Sequence, residues 1–582
     1  MTLSTAIAGA AWMSANAGGY WRYRSALADP AATQEAILMR YLRANAGTAF
    51  GRAHGFSNLH SIDAYQAKVP LASYSDFSAS IDDISRGEQD VLTRERVRTL
   101  ALSSGSVSAA KRVPYTPGLQ QEFRRAVAPW VFDLYRSRPD LALGCSYWSI
   151  TPVATDRSST PSVVPVGFDE DGDYLGAAWK RVVDATLAVP GAVRFVRDMD
   201  AFRYVTLFFL LRRPDLSLVS VWHPSFLTLL LDALAPHWDS LVDDVRRGTI
   251  NPPSRLPAEI ARNLQSNRRP NPRRAEELAA YGSQDYRAMW PRLQIVSCWA
   301  DGHAAFSLDV LRRMLPHVHI QPKGLLATEA VVTLPFQGLT PLAVRSHFFE
   351  FLRNGRAYLG HQLVPGEVYS VVVTTGGGLY RYRLEDTVEV NGFVGGTPSL
   401  RFLGKHDHVS DLCGEKLNET FVATALAEAC HRLGVAPRCA LVAPDLSAAP
   451  PCYTLYLETD AAPPVELGRL LEERLAHNPH YRYCRTLGQL AALQVFRASR
   501  PMFPAYVERC REMGQRVGDV KPLSLSNRAG WSDVFAGSYC GADAAAPGPR
   551  RRTSLTDRDR ECHDRRGDAG RNVHNDNPLG GQ

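Results

Sequence analysis

Four short segments of the chain concentrate side chains whose types and spacing could do chemistry. In the first, Ser103, Ser104, Gly105 and Ser106 precede Val107, and Lys111 follows just ahead of Pro114-Tyr115-Thr116. Small residues let backbone N–H groups and hydroxyls close around anionic oxygens, and Lys111 adds a positive charge, so this segment could cradle a phosphate. In the second, Lys323 to Glu329, Thr328 offers a hydroxyl to a phosphate and Glu329 a carboxylate to a magnesium ion. The third runs from Gly377 to Asp386, whose carboxylate at a strand end can accept two hydrogen bonds from ribose hydroxyls. The fourth spans Arg401 to Asp407 and continues through Gly414 to Glu419. It places Lys405, Asp407 and Lys416 at a change of sequence rhythm, where a hinge is expected. Each segment alone has a plainer reading: a surface loop, a capped strand end, a charged hairpin, an interdomain linker.

Commoner signatures are absent. No segment satisfies Gly-x-x-x-x-Gly-Lys-Ser/Thr, because Gly404-Lys405 is followed by His406 and lacks the earlier glycine. There is no Gly-x-Gly-x-x-Gly opening a helix, no His-Glu-x-x-His and no Gly-x-Ser-x-Gly. His406 and His408 flank Asp407 without a third ligand cluster, so a polar loop is expected there rather than a metal site. Nucleotide chemistry in this chain must use a different phosphate cradle.

In this order the four segments resemble the adenylate-forming superfamily of acyl-CoA synthetases, peptide-synthetase adenylation domains and luciferases. More specifically they look like the plant auxin-responsive acyl-acid amido synthetases and their bacterial relatives. Asn45 to Arg52, Val69-Pro70 through Tyr74, and Trp222-His223-Pro224-Ser225 support the resemblance, which covers about residues 20 to 535. It implies a phosphate loop at Ser103, Ser104, Gly105, Ser106 and Lys111, α-phosphate and magnesium contacts at Thr328 and Glu329, and a ribose contact at Asp386. Arg401 falls on the arginine-bearing strand before the lid, and Lys405 and Asp407 fall on the hinge. Lys521, within Gly518-Asp519-Val520-Lys521-Pro522, matches the lysine that reaches the adenylation centre; Lys416 is a weaker competitor.

The activity implied is that of an ATP-dependent acyl-acid amido synthetase. It would use ATP and Mg2+ to adenylate a small carboxylic acid and pass the acyl group to an amine or amino acid. The alternatives are an acyl-CoA ligase sharing the adenylation step, and an inactive nucleotide-binding descendant. Val107 stands where a hydroxyl or glycine is usual, and Glu385 stands beside Asp386 where the family favours glycine. Trp299, Ala300 and Asp301 are candidates for the acyl pocket.

The elements that must position these residues follow from composition and periodicity. The 582 residues are 45% hydrophobic and 21% charged, with 66 Lys+Arg against 59 Asp+Glu and a formal charge of +7. That balance excludes a disordered chain and a nucleic-acid-coating protein, and the length calls for more than one packed body. The resemblance implies an α/β fold: a large N-terminal adenylate-forming body over residues 1–403 and a smaller, mobile α+β C-terminal lid over 404–540.

In the N-terminal part, Asp29 and Pro30 predict a helix start, with Ile37, Leu38, Tyr41 and Leu42 on its buried face. Strands are expected at 218–222, 368–375 and 387–392. In the lid, helices are expected at 418–433, 464–476 and 502–513, and strands at 439–443, 453–458 and 492–496. Residues 541–582 hold almost no large apolar side chains, so a disordered tail is expected. The ten cysteines form no Cys-x-x-Cys pair, and neither Ala6–Ala17 nor the run 217–234 has the pattern of a leader or a membrane span. A cytoplasmic monomer is expected, without nucleic-acid or membrane partners.

Overall fold

The computed structural model describes residues 3–103, 111–149, 162–165, 186–264, 269–301, 304–405, 409–413, 415–447, 450–513, 515 and 520–540. Two helices open the chain, α1 (Leu3–Ala26) and α2 (Pro30–Asn45). Asp29 caps α2 by accepting the Ala32 N–H at 3.1 Å, and Pro30 occupies the first turn, as the sequence requires. The hairpin β1 (Thr99–Ser103) and β2 (Lys111–Tyr115) leads into the long helix α3 (Pro117–Ser137), capped by Thr116.

A four-stranded sheet follows, β3 (Cys145–Trp148), β4 (Leu216–Ser220), β5 (Ile295–Cys298) and β6 (His319–Pro322), all parallel and in chain order. Every residue of β4 and β5 is buried, as a sheet covered on both faces demands. The strand expected at 218–222 therefore starts and ends two residues earlier, because Trp222 and His223 already turn into the helix begun by Pro224. A second sheet is antiparallel, in the order β11-β10-β9-β7-β8. Its strands are β7 (Phe348–Arg353), β8 (Arg356–Tyr358), β9 (Val368–Thr374), β10 (Tyr382–Val394) and β11 (Thr397–Lys405). The short strand expected at 387–392 is the middle of the much longer β10. Two hydrophobic clusters fill this part of the chain, one joining the N-terminal helices to the antiparallel sheet and one surrounding the parallel sheet.

Beyond β11, the small ladder β12 (Val409–Ser410) and β13 (Leu417–Asn418) precedes α4 (Glu419–Arg432), capped by Asn418. Then come β14 (Cys439–Asp445), β15 (Cys452–Glu458), α5 (Glu466–Leu475), β16 (Gln494–Ala498) and α6 (Met502–Glu512), close to the expected order. The helix Pro479–Thr486 and the closing strand β17 (Gly537–Cys540) were not legible, being short and polar. The sheet order is β14-β15-β16-β17, and the clusters on its two faces are separate from those of the preceding sheets. Among the described residues no helix is long and apolar enough to cross a membrane. The nine described cysteines are all free thiols. The segment expected to be a tail, 541–582, lies outside the described residues.

Candidate active site

The β1–β2 hairpin pairs Ser103 with Lys111 at the end where its two strands are connected, so the two flank the phosphate-type segment. Ser104, Gly105, Ser106 and Val107 lie outside the described residues. The Lys111 ammonium lies 5.8 Å from the centre of the Tyr74 ring, and the Tyr74 hydroxyl accepts the Arg112 N–H at 2.8 Å. Tyr74 is one of several groups felt by Tyr382, the first residue of β10. Burial, then the charges of Glu329, Tyr74, Asp386 and Glu385, raise the Tyr382 phenol far above its ordinary pKa. Four chain segments therefore meet around two tyrosines. Glu329 is 6% exposed and Asp386 2%, while Thr328 is half-buried.

Asp386 does not lie on a regular strand. Between Arg383 and Thr387 the register of β10 against β9 slips, leaving Leu384, Glu385 and Asp386 in a bulge. Glu385 takes φ +60°, in the left-handed region where a Cβ is strained. A bulge of this kind re-aims the side chains of its strand. On its other side Asp386 stands across from Lys405, the last residue of β11. Asp407 lies outside the described residues.

A glycine turn completes this side. A Cβ on Gly376 would run into Glu122 Oε1, and one on Gly377 would come within 2.6 Å of the Pro114 carbonyl oxygen. Gly378 has φ +94°, and its Cβ would meet Leu92 at 2.7 Å. Glu122 of α3, 2% exposed, is the hub behind the turn. It accepts the Gly376 N–H at 3.0 and 3.2 Å and the Tyr41 hydroxyl at 2.6 Å, and it pairs with His347 Nδ1 at 2.9 Å. The other nitrogen of His347 accepts the Val331 N–H at 3.2 Å, two residues beyond Glu329. One buried carboxylate thus ties down the glycine turn and the Thr-Glu loop together. A second buried pair, Arg381–Glu350 at 2.9 Å, fixes the start of β10, with Arg381 also donating to the Gln66 and Val69 carbonyls.

Lys521 meets a different group. Its ammonium lies 4.2 Å from the centre of the Trp299 ring, just past the C-terminal end of β5. Trp299 tilts against Trp222 at 5.6 Å, and Lys323 lies 4.4 Å from the Trp222 ring centre while donating to the Val221 carbonyl at 3.0 Å. The result is a row of lysine, tryptophan, tryptophan, lysine at the C-terminal edge of the parallel sheet, where open α/β sheets bind ligands. Asp301, two residues on, is raised by burial, partly offset by the Phe402 N–H and by Arg401. Arg401 itself is half-exposed and ion-paired with Glu389. Lys416 is exposed, at φ +46°.

Family models match nearly the whole described chain: a GH3 family N-terminal domain over residues 21–320, a GH3 family central domain over 340–405 and a GH3 family C-terminal domain over 420–529. The chain is 26% identical over 450 residues to a probable indole-3-acetic acid-amido synthetase, GH3.12, of Oryza sativa subsp. japonica, covering 69% of this chain and 73% of that protein. It is 23% identical over 438 residues to the jasmonoyl–L-amino acid synthetase JAR6 of Nicotiana attenuata, covering 70% and 74%. Of solved structures, a GH3.15 acyl acid amido synthetase superposes with a TM-score of 0.77 at 20% identity, over 88% of this chain and 93% of that one. A 2-hydroxyisobutyryl-CoA ligase with a bound acyl-adenylate superposes with a TM-score of 0.50 at 12% identity, over 88% and 92%. These likenesses establish the adenylate-forming fold.

Proposed function

The chain belongs to the GH3 family, and from that premise we propose that it is an ATP-dependent acyl-acid amido synthetase. It activates a small carboxylic acid as its adenylate and transfers the acyl group to an amine or amino acid. The observation that carries this reading is the convergence of Lys111, Glu329 and Asp386, from three distant segments, on Tyr74 and Tyr382.

In the first step a carboxylate oxygen bonds to the α-phosphorus of ATP as the bond to pyrophosphate breaks. In the second the amine nitrogen bonds to the acyl carbon, AMP leaves, and the nitrogen gives up a proton. Such chemistry needs positioning and charge neutralisation rather than a protein nucleophile. We assign the phosphate loop to Ser103, Ser104, Gly105, Ser106 and Lys111, the ribose contact to Asp386 and the α-phosphate contact to Thr328. Lys521 is assigned the charge that develops on the α-phosphate, and Arg401 the strand leading to a hinge at Lys405 and Asp407. Body and lid are read as residues 1–403 and 404–540.

Among the described residues no cluster of three or more His, Cys, Asp or Glu could hold a metal on its own. Mg2+ nevertheless suits the site, because it binds through one or two carboxylates together with substrate phosphates and retained waters. The buried Glu329 supplies such a carboxylate, and Mg2+ bound there would neutralise phosphate charge. The free thiols fit a reducing, cytoplasmic setting.

The test is pyrophosphate exchange across a panel of carboxylic acids, followed by AMP release with amino acids or with CoA. Acid-dependent exchange with amide formed from amino acids is expected. AMP release with CoA alone would make the enzyme a thioester-forming ligase, and no exchange with any acid would end the reading.

A further inference from the structure

Where β9 and β10 lose register, the antiparallel sheet borders a cavity of about 280 Å³. Arg383 still pairs with Val372 and Thr387 with Ser370, so Leu384, Glu385 and Asp386 together stand opposite Val371 alone. Leu352 of β7 pairs with Ser370 of β9, which puts both, with Arg383, on the face turned away from the cluster of Phe351 and Val373. Leu71 joins them because its neighbour Ala72 is bonded to β10. The Ala72 N–H donates to the Arg381 carbonyl at 3.0 Å, and the Arg383 N–H donates to the Ala72 carbonyl at 2.9 Å. The two-residue turn Asn354-Gly355, at φ +50° and +77°, closes the rim between β7 and β8. None of Lys111, Thr328, Glu329 and Asp386 lines this cavity.

Its charged lining is of both signs. Arg353 is paired with Glu367. Arg383, exposed, and Glu385, half-buried, border the same space, yet among the described residues neither forms an ion pair, with the other or with a third group. Asp76 feels the charge of Arg383, but its carboxylate already accepts the Ser73 N–H at 2.7 Å and the Ser73 hydroxyl at 2.8 Å. A guanidinium and a carboxylate that border one space without meeting can be bridged by a group carrying both charges. Glycine would serve the φ +60° of position 385 better, so what its side chain adds is a carboxylate at this cavity. The remaining wall, Leu71 and Leu352, is apolar and half-buried.

We propose that this cavity binds a free, small apolar α-amino acid as its zwitterion. The carboxylate lies on Arg383, the ammonium on Glu385 and the side chain against Leu71 and Leu352. Carboxylate and ammonium of an α-amino acid share one carbon, so they bridge two groups that do not reach each other. The volume lies below that of clefts holding drug-sized ligands, which suits an occupant of this size. A dicarboxylate would set a like charge against Glu385, and an amine alone would leave Arg383 unused. The site rests on the cavity and not on the amide-forming reading, and an amino acid held here is not the acyl acceptor.

L-Leucine is titrated into the full-length protein by calorimetry, with ATP and carboxylic acid substrate left out so that nothing turns over. Saturable binding is expected. L-Leucinamide and N-acetyl-L-leucine, each lacking one of the two charges, should bind about tenfold more weakly or worse, the loss of one charge-assisted contact. Arg383→Gln and Glu385→Gln should each weaken leucine binding by about the same factor. The two derivatives test the charges on the unaltered protein, independently of how the variants fold. No binding to the wild type, a derivative that binds as tightly as leucine, or unchanged leucine affinity in either variant overturns the proposal; the last result would place leucine at an acceptor site elsewhere. Because the titration needs no adenylation, a protein that makes no amide can still pass it, and an amide synthetase can fail it.

Discussion

Glu385 holds a left-handed backbone conformation that costs a residue with a Cβ about 1–2 kcal/mol, and in exchange Asp386 is delivered from a bulge. Glu385→Gly should therefore raise Tm while leaving ATP affinity unchanged or improved; a lower melting temperature would show that the glutamate side chain matters more than its backbone. Glu122→Gln replaces a charged acceptor serving two loops, which is worth about 1.5–3 kcal/mol, or roughly ten- to hundredfold in an equilibrium constant. The expected result is a rise of that order in the KM for ATP with a smaller change in kcat, partly restored by Glu122→Asp. Equal loss in both constants would mean general damage to the fold. Lys111, Glu329 and Asp386 could be nominated from sequence, because small, hydroxyl-bearing and carboxylate groups beside turns suggest a phosphate or ribose contact. Glu122 could not. It follows Gln120 and Gln121 on a helix and looks like part of a solvent face, and its burial is set by His347 and Gly376, 225 and 254 positions away.

At the scale of elements, the lid was legible as an order of helices and strands because each piece has its own periodicity and caps. Its meeting with the body was not, since nothing local to Lys521 specifies Trp299. Lys521→Ala should slow acid-dependent pyrophosphate exchange by roughly 10²–10³, the usual effect of removing a transition-state charge stabiliser. The same variant given pre-formed acyl-adenylate should make amide at a near-normal rate, because the α-phosphate is then no longer the reacting centre. Equal loss in both half-reactions would indicate a damaged lid, and no loss in either would move the role to Lys416 or abolish it. The bulge in β10 also belongs to this scale. A run of Arg383 to Asp386 reads from sequence as a charged hairpin, and only its register against β9 reveals the extra residues.

For the whole molecule, burial decides how the free thiols behave. It pushes Cys145 and Cys298 up to about 12, leaving only about one thiolate in ten thousand at pH 8. Below that pKa the protonated form dominates, so raising the pH from 7 to 9 increases the thiolate population a hundredfold yet keeps it tiny. Among the nine described thiols, mass-resolved alkylation should label the exposed Cys540 first and reach Cys145 and Cys298 only once urea unfolds the chain. Rapid labelling of Cys298 in the native protein would mean that the parallel sheet opens locally.

The three glycines at 376, 377 and 378 look interchangeable on the page, yet each answers to a different obstacle. For Gly377 the obstacle nearest the added carbon is a main-chain oxygen, and for Gly378 the backbone angle itself adds strain, so no simple exchange elsewhere undoes an alanine there. At Gly376 it is the end of one side chain, Glu122. A genetic selection starting from inactive alanine mutants should thus return second-site suppressors for position 376 alone, and they should fall at codon 122.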